Sequence, residues 1–582
     1  MKRQLGLCAL LAVCIATVGV FDLSYAFAND NQAQNEINLV EGGKSGYSIV
    51  IAADASVPVK FAAEELQKYL AQISGARLPV ATNAAPDLAI CVGEGSIPAA
   101  ETDKLHADLK DRGEDGYAMC SSGNRLILTG NSPRASLYAV YHFLEKYLGC
   151  SWCVPGHDTV PQQATIRLPH FRDAVGPAPF SMRTLVLFPY GDHFMHKCNL
   201  PRTDWAAKNR LNWVHPAPNA PDRWELNKSR DVLLPEVKKR GLNLQVGGHS
   251  FSTWLPNARY AKDHPDYYGI KADGSRSTAS PCLSHPDVAK EMAANIVKWL
   301  NKNPEVNAVD LWHNDSMFFC LCPKCTPENA RGSTAEAEAA YTKTYVRFVN
   351  QVATLVAQRH PKVLVSSLFY GQTTNCPADA EPLNDNVLAG IALYPRPMQR
   401  TMRPLETSPQ PLDGNLRLQI PAWRKLAKHF YIYEYYTLHH ESNTCWEPVK
   451  FWSMVGMIHE DMRFFRRIGV DEISSETWCQ DDWYPLNMYA YGRIAWNPNL
   501  KPEDIVADFC RRYYGKASNP MIAYWNLLEE GLRESWQTTA PADWRDQKRI
   551  VEVKNALSLA ENKTVRDRIL ATAAIHELAI NK

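Results

Sequence analysis

The run Val309-Asp310-Leu311-Trp312-His313-Asn314-Asp315 alternates apolar and polar residues and ends in an amide beside a carboxyl. A short buried strand that delivers such groups at its carboxyl end has the layout of a barrel enzyme's reaction centre. Asn and Asp also cap ordinary turns, so the pair gains weight only in company. His249, Tyr370 and Tyr394 follow other strand-like runs, Glu434 lies inside one between Tyr433 and Tyr435, and Glu476 and Trp478 follow another. Each alone has a bland explanation: His249 as a satisfied core imidazole, Glu434 as the partner of an arginine in a barrel wall. Converging, Asp315, Glu434 and Glu476 supply carboxyl groups for proton transfer, and Asn314 supplies an orienting amide. His249, Trp312, Tyr370, Tyr394, Tyr435 and Trp478 supply rings with polar edges that suit a neutral, ring-shaped substrate.

Just beyond Asp315, Cys320-x-Cys322-x-x-Cys325 places three thiols within six residues, and Cys282 is the nearest candidate for a fourth. Four such thiols can hold zinc, and in an oxidising compartment two of them can equally form a disulfide; the spacing leaves both open. In either case the cluster is structural, pins the loop after Asp315, and leaves catalysis without a required cofactor. Cys150-Ser151-Trp152-Cys153 has redox spacing, but it ends a helix-like segment instead of opening one after a strand, which argues against a redox motif.

These groups need a scaffold, and from about Phe180 to Ser475 strand-like and helix-like runs alternate. Strands are expected at Met182–Phe188, Asn212–His215, Asn243–Gly247, Ala308–Trp312, Val363–Phe369, Leu388–Leu393, Phe430–Tyr435 and Val470–Ser474. Eight strands with intervening helices make an α/β fold, a (β/α)8 TIM-like barrel, assigned to residues 175–483. Before it, residues 29–174 read as a small αβ domain, with a helix from Pro58 to Ser74 stopped by Gly75 and another from Ser136 to Leu148. The acidic residues Glu64, Glu65 and Glu145 on these helices read as solvated. After the barrel, residues 484–582 read as a helical region with amphipathic runs at Ile505–Tyr514, Met521–Leu532 and Thr564–Leu578. It is expected to buttress the barrel or line one side of the cleft.

Composition narrows the partners. The 582 residues carry 63 basic and 62 acidic side chains, a net charge of +1, which gives no footprint for nucleic acid or an anionic membrane. Lys2 and Arg3 precede an apolar run from Leu5 to Phe21, and Ala26-Phe27-Ala28 fits a cleavage site, so residues 1–28 read as a signal peptide. Export to the periplasm or outside the cell is expected. Leu11-Ala12-Val13-Cys14 fits a lipoprotein box poorly, which argues against lipid anchoring. No later stretch reaches 18 consecutive apolar residues, so no membrane span is expected.

Several motifs are familiar. Phe61-Ala62-Ala63-Glu64-Glu65-Leu66, Leu78-Pro79-Val80, Gly113-Glu114-Asp115-Gly116-Tyr117 and Tyr138-Ala139-Val140-Tyr141-His142-Phe143-Leu144-Glu145 resemble the domain that precedes the barrel in α-glucuronidases and several hexosaminidases. His264-Pro265-Asp266-Tyr267-Tyr268, Cys282-Leu283-Ser284-His285-Pro286, Asn314-Asp315 and the cysteine cluster resemble the family of domain of unknown function 4838. Part of that family is assigned to glycoside hydrolase family 163, endo-β-N-acetylglucosaminidases acting on N-glycans. The resemblance therefore implies a glycan substrate and acid-assisted glycosidic cleavage.

Two arrangements would serve such cleavage. In one, Asp315 is the acid and Glu434 the nucleophile, with carboxyl groups roughly 5–5.5 Å apart. In the other, the substrate's own 2-acetamido carbonyl attacks, Asp315 donates the proton and Asn314 positions the acetamide. Hexosaminidases of the second kind are similar in carrying adjacent polar and acidic residues after strand four, although their pairs usually end in Glu. That departure leaves open a role for Glu434 or Glu476 as the acid. The favoured expectation is a β-N-acetylglucosaminidase using the second route. Alternatives are a hydrolase of uronic acid glycosides, needing a carboxylate clamp for which Arg183, Arg210 and Arg396 are candidates, and a non-catalytic glycan-binding barrel.

Overall fold

The structure is a computed structural model that describes residues 36–82, 87–187, 195–216, 224, 229–316, 318–330, 334–393, 411–436, 453–477, 485–534 and 544–575. Residues 1–28, Tyr394, Arg396 and Trp478 lie outside the described residues.

Ten strands precede the barrel: β1 (Glu36–Val40), β2 (Ser48–Val50), β3 (Val80–Ala81), β4 (Ala89–Val92), β5 (Tyr117–Ser122), β6 (Arg125–Gly130), β7 (Ser151–Val154), β8 (His157–Thr159), β9 (Ile166–Pro169) and β10 (Arg172–Val175). Six of them form a mixed sheet in the order β10-β5-β6-β4-β2-β3. The helices Val57–Ser74 and Pro133–Lys146 pack together against it. The first starts with proline in its opening turn and stops at Gly75, whose φ of 80° suits a residue without a side chain. The second is capped by Ser132, which accepts a hydrogen bond from the Ala135 amide at 3.2 Å.

The barrel strands are β11 (Met182–Leu187), β12 (Trp213–Pro216), β13 (Asn243–Val246), β16 (Ala308–Asp310), β17 (Leu364–Phe369), β18 (Val387–Ala392), β19 (His429–Glu434) and β20 (Glu472–Thr477). They close in that order, every described neighbour parallel, with β20 returning to β11. Between β13 and β16 the chain makes an antiparallel hairpin, β14 (Tyr268–Ile270) and β15 (Arg276–Pro281). Alternation sorts the side chains. Met182, Val186, Ala308, Trp312, Leu368, Leu388, Ala392, Tyr431 and Tyr433 fill the interior, whereas Leu185, Val309, Val365, Ile391, Phe430 and Ile432 join the layer shared with the helices. Room for Tyr431 comes from Gly390 on the neighbouring strand: a methyl there would sit 2.3 Å from the phenol's Cζ.

Two strands differ from expectation for local reasons. Regular pairing of β16 stops at Asp310, two residues early, because Gly247 and Gly248 take φ of 136° and 122°, outside strand geometry, and interrupt the partner strand. A β-carbon at Gly247 would lie 2.6 Å from that of Asp310, so this approach needs glycine. A single bridge between His249 and Trp312 resumes the pairing beyond the two glycines. Strand β20 begins two residues late, because Val470 is still bonded to the end of the helix Val455–Arg467, its amide 2.9 Å from the Phe465 carbonyl. Glu476 therefore lies within the strand.

The amino-terminal domain docks on the barrel through buried ion pairs. Asp115 bonds Arg134 Nε at 2.8 Å, Arg183 Nη2 at 2.5 Å and Asn212 Nδ2 at 2.9 Å. Glu145 joins Arg210 at 2.9 Å and Arg493 at 2.6 Å. These two guanidiniums hold its carboxyl well below the usual range despite burial, which opposes them. Glu65 is thus buried and the Glu145 side chain only 9% exposed, neither solvated as their helix positions suggest. The carboxyl-terminal helices Pro485–Trp496, Pro502–Tyr514, Ser518–Glu534, Trp544–Leu559 and Lys563–Ile575 complete the chain. The first of them buttresses the barrel: Tyr491 donates to the Thr184 carbonyl at 2.7 Å, and Asn487 accepts from the Met454 amide at 2.9 Å.

Candidate active site at the carboxyl end of the barrel

Past Asp310 the chain leaves the ladder, and side chains take over its polar groups. Ser250 Oγ and Trp254 Nε1 both donate to the Asp310 carbonyl at 2.8 Å, and Tyr345 donates to the Leu311 carbonyl at 3.1 Å. These bonds add to the remaining backbone ones, Leu311 N to the Ser366 carbonyl at 2.7 Å and Ser250 N to the Trp312 carbonyl at 3.1 Å, in fixing segment 310–312.

Beneath the mouth lies a polar layer that the sequence reading overlooked. The buried Asp310 carboxylate accepts from Gln245 Nε2 at 2.7 Å and faces His215 Nε2 at 2.8 Å. Ser366, bonded by both Gln245 and Trp312 Nε1 at 3.1 Å, extends the layer. Alternation offered a signal, since Ala308, Asp310 and Trp312 share a face and Asp310 is the charged one. Trp312, 1% exposed, is the floor above this layer, edge-on to His215, His249 and Tyr433 at 5.4, 5.9 and 5.6 Å. It supports the site from below and offers no exposed platform for a sugar.

Above the floor, Tyr370 gathers several expected residues. Its hydroxyl lies 3.1 Å from His249 Nδ1 and 3.4 Å from both the Asp315 carboxyl and the Asn314 carbonyl. Its ring stacks on His313 at 4.1 Å. His249 Nδ1 is also 3.0 Å from the His313 carbonyl; donating there makes Nε2 the ring's acceptor. His313 is buried, which pushes its pKa down to about 4, so it stays neutral at ordinary pH. Asp315 is exposed. Asn314 is spoken for: its Nδ2 donates to Ala279 of β15 at 3.0 Å and its Oδ1 accepts from Ser252 at 3.3 Å. Its amide ties β15 to the short helix Phe251–Trp254.

The remaining carboxylates divide. Glu476 faces the interior, and Tyr433 donates to it at 2.8 Å. Glu434 is fully buried, alternates with Tyr433 and so shares the helix-side face with Phe430 and Ile432, and accepts from the Tyr435 amide at 3.2 Å. Tyr435 follows directly on β19, its ring 5.3 Å from that of Tyr433. Burial raises its phenol well above the ordinary value, and the acidic groups of Glu476, Tyr370, Glu434 and Asp315 raise it further, in that order. Asp315, on the loop after β16, accepts from Tyr370, and Glu476, on β20, accepts from Tyr433. Of the arginines considered for a carboxylate clamp, Arg183 and Arg210 are consumed by Asp115 and Glu145 at the domain junction, away from this mouth. Cys282, Cys320, Cys322 and Cys325 converge beside the Asp315 loop, their sulfurs all within 4.8 Å of one another.

Residues 152–526 match the family described as domain of unknown function DUF4838, and residues 32–143 match the glycosyl hydrolase family 67 N-terminus. Among curated proteins, a probable alpha-glucuronidase A of Aspergillus fumigatus is 40% identical over 68 residues, 11% of this chain and 8% of that protein. One from Neosartorya fischeri is 35% identical over 89 residues, 14% of this chain and 10% of that protein. The matched stretch is thus a small part of these relatives. Solved structures share the fold at low identity. A family GH115 4-O-methyl-alpha-glucuronidase with specificity for decorated arabinogalactans has a TM-score of 0.60 at 12% identity, over 94% of this chain and 72% of that one. A GH138 enzyme targeting pectin rhamnogalacturonan II scores 0.58 at 12% identity, over 92% and 69%. CpGH84B scores 0.54 at 9% identity, over 93% and 87%.

Proposed function

Because the chain belongs to the DUF4838 family and shares its barrel fold with solved glycoside hydrolases, we propose that it hydrolyses glycosidic bonds. Its proposed substrates are β-linked N-acetylglucosaminides within N-glycans, cleaved internally. The observation that carries the reading is that two carboxyl groups at the carboxyl end of a (β/α)8 barrel each accept from a tyrosine at a strand end, Asp315 from Tyr370 at 3.4 Å and Glu476 from Tyr433 at 2.8 Å.

In this reading Asp315 protonates the departing glycosidic oxygen while the substrate's acetamide oxygen attacks the anomeric carbon. Water then opens the cyclic intermediate, giving its proton to Asp315. Tyr370, bonded to Asp315 and His249, holds the acid in place. Because the Asn314 amide is occupied by backbone partners, orientation of the acetamide falls to Tyr370, Tyr435 and Glu476.

The test is product analysis of the wild type, Asp315→Asn and Glu476→Gln on a complex N-glycan and a synthetic β-N-acetylglucosaminide, with a thiazoline inhibitor alongside. Loss of an acid catalyst lowers turnover about 10²–10⁴-fold, and the thiazoline should block the wild type. A wild type that releases nothing from either substrate refutes the N-acetylglucosamine assignment. Glucuronides form the next panel, because the amino-terminal domain matches the family 67 N-terminus.

A further inference from the structure

We infer that Cys282, Cys320, Cys322 and Cys325 bind one zinc ion in a closed four-thiolate site that staples the β14–β15 hairpin to the loop carrying Asp315. The distances fit a metal and not a bridge. Cys282 Sγ lies 3.7 Å from Cys322 Sγ and 3.9 Å from Cys325 Sγ. A tetrahedron with zinc–sulfur bonds of about 2.3 Å has edges of about 3.8 Å, whereas a disulfide needs about 2.05 Å. All four thiols are free, in a chain where Cys198 is disulfide-bonded.

The surroundings suit the charge that such a site carries. Four thiols binding Zn²⁺ give up four protons and leave a net charge of −2, which a buried site must offset with donors. The Ile270 and Cys322 amides donate to Cys320 Sγ at 3.4 Å, and the Cys325 amide donates to Cys322 Sγ at 3.3 Å. The Ser284 hydroxyl lies 3.4 Å from the sulfurs of Cys282 and Cys322 and 3.2 Å from that of Cys325. Backbone amides aimed at sulfur are outer contacts of the kind that fix thiolate ligands.

With four protein ligands the site has no open position, so its role is to hold segments together. Cys282 follows β15, and the other three follow Asp315. The same two segments are joined by Leu321 N to the Ile270 carbonyl at 2.9 Å and by Asn314 Nδ2 to the Ala279 carbonyl at 3.0 Å. One ion therefore sets the distance between the hairpin and the acid-bearing loop.

Metal analysis of the purified full-length protein tests this independently of any substrate. The expected result is one zinc per chain, released to a chromogenic chelator when a mercurial blocks the thiols, and cobalt exchange giving the visible spectrum of tetrahedral sulfur ligation. Cys320→Ser and Cys282→Ser should lose the metal, and Cys376→Ser, outside the cluster, should keep it. Iron in place of zinc, no bound metal, or two cluster thiols missing by mass under non-reducing conditions would each overturn the proposal. Should the serine variants not fold, the metal content and thiol count of the wild type still decide it.

Discussion

His313 offers a sharp test because its stability contribution has a sign and a window. The ring is 3% exposed, stacked on Tyr370, with Nδ1 3.0 Å from the Asn314 carbonyl. Burial depresses its pKa from 6.5 to about 4, so the folded protein holds it neutral while the unfolded chain takes up a proton as pH falls below about 6.5. The contribution is fully present above the unfolded value and is lost as pH falls through about 4. At about 1.36 kcal/mol per unit the full extent is about 3 kcal/mol, of which about 2 kcal/mol disappears between pH 7 and pH 5. Urea unfolding followed by tryptophan fluorescence at pH 7, 6 and 5, for the wild type and His313→Phe, isolates this residue from the other titrating groups. Phenylalanine keeps the stacking on Tyr370 but cannot take a proton. The wild type should lose about 2 kcal/mol more than the variant over that interval, whatever stability the variant has at pH 7. Parallel pH curves would sink the assignment of a buried neutral imidazole.

Two further expectations follow from the same geometry. Asp115→Asn takes from Arg183, 0% exposed, its buried carboxylate partner and leaves Arg134, 5% exposed, with the exposed Glu114 at 3.2 Å; loss of one partner from a buried pair costs about 3–5 kcal/mol. Limited proteolysis should then cut first at the boundary between the amino-terminal domain and the barrel, and unchanged resistance would contradict the role given to this cluster. Tyr433→Phe removes the 2.8 Å bond to Glu476, a bond to a charged group being worth about 1.5–3 kcal/mol. Turnover on the substrate identified for the wild type should fall about tenfold or more, and an unchanged rate would remove Glu476 from the reacting centre.

Much of the barrel was legible because its strands are apolar runs punctuated by glycine, and each of the eight expected strands overlaps an observed one. Where the ends moved, backbone geometry was responsible: Gly247 and Gly248 interrupt the strand beside β16, and a helix end absorbs Val470. The site was legible as a set of residue types at strand ends, but alternation had to be applied at each end to sort them. It sends Glu434 to the helix side and Glu476 inward, and it turns Trp312 from a platform into a floor. The polar layer of Asp310, His215 and Gln245 depends on three strands meeting, which no single run announces. Helix position also misled at Glu145, whose partners Arg210 and Arg493 lie far along the chain.

The missing side chain at Gly390 carries a consequence for divergence. The phenol of Tyr431 occupies the volume that a methyl group on the next strand would need, so neither position can change freely while the other stays fixed. A larger residue at 390 demands a smaller one at 431, and the pair should drift together among relatives as one packing decision. Because Tyr431 also touches Ser366 at 3.4 Å, which holds Gln245 and Trp312, such a compensated swap would reshape the support under the acid-bearing loop without altering any residue at the mouth. Divergence in substrate choice could thus begin two layers below the substrate.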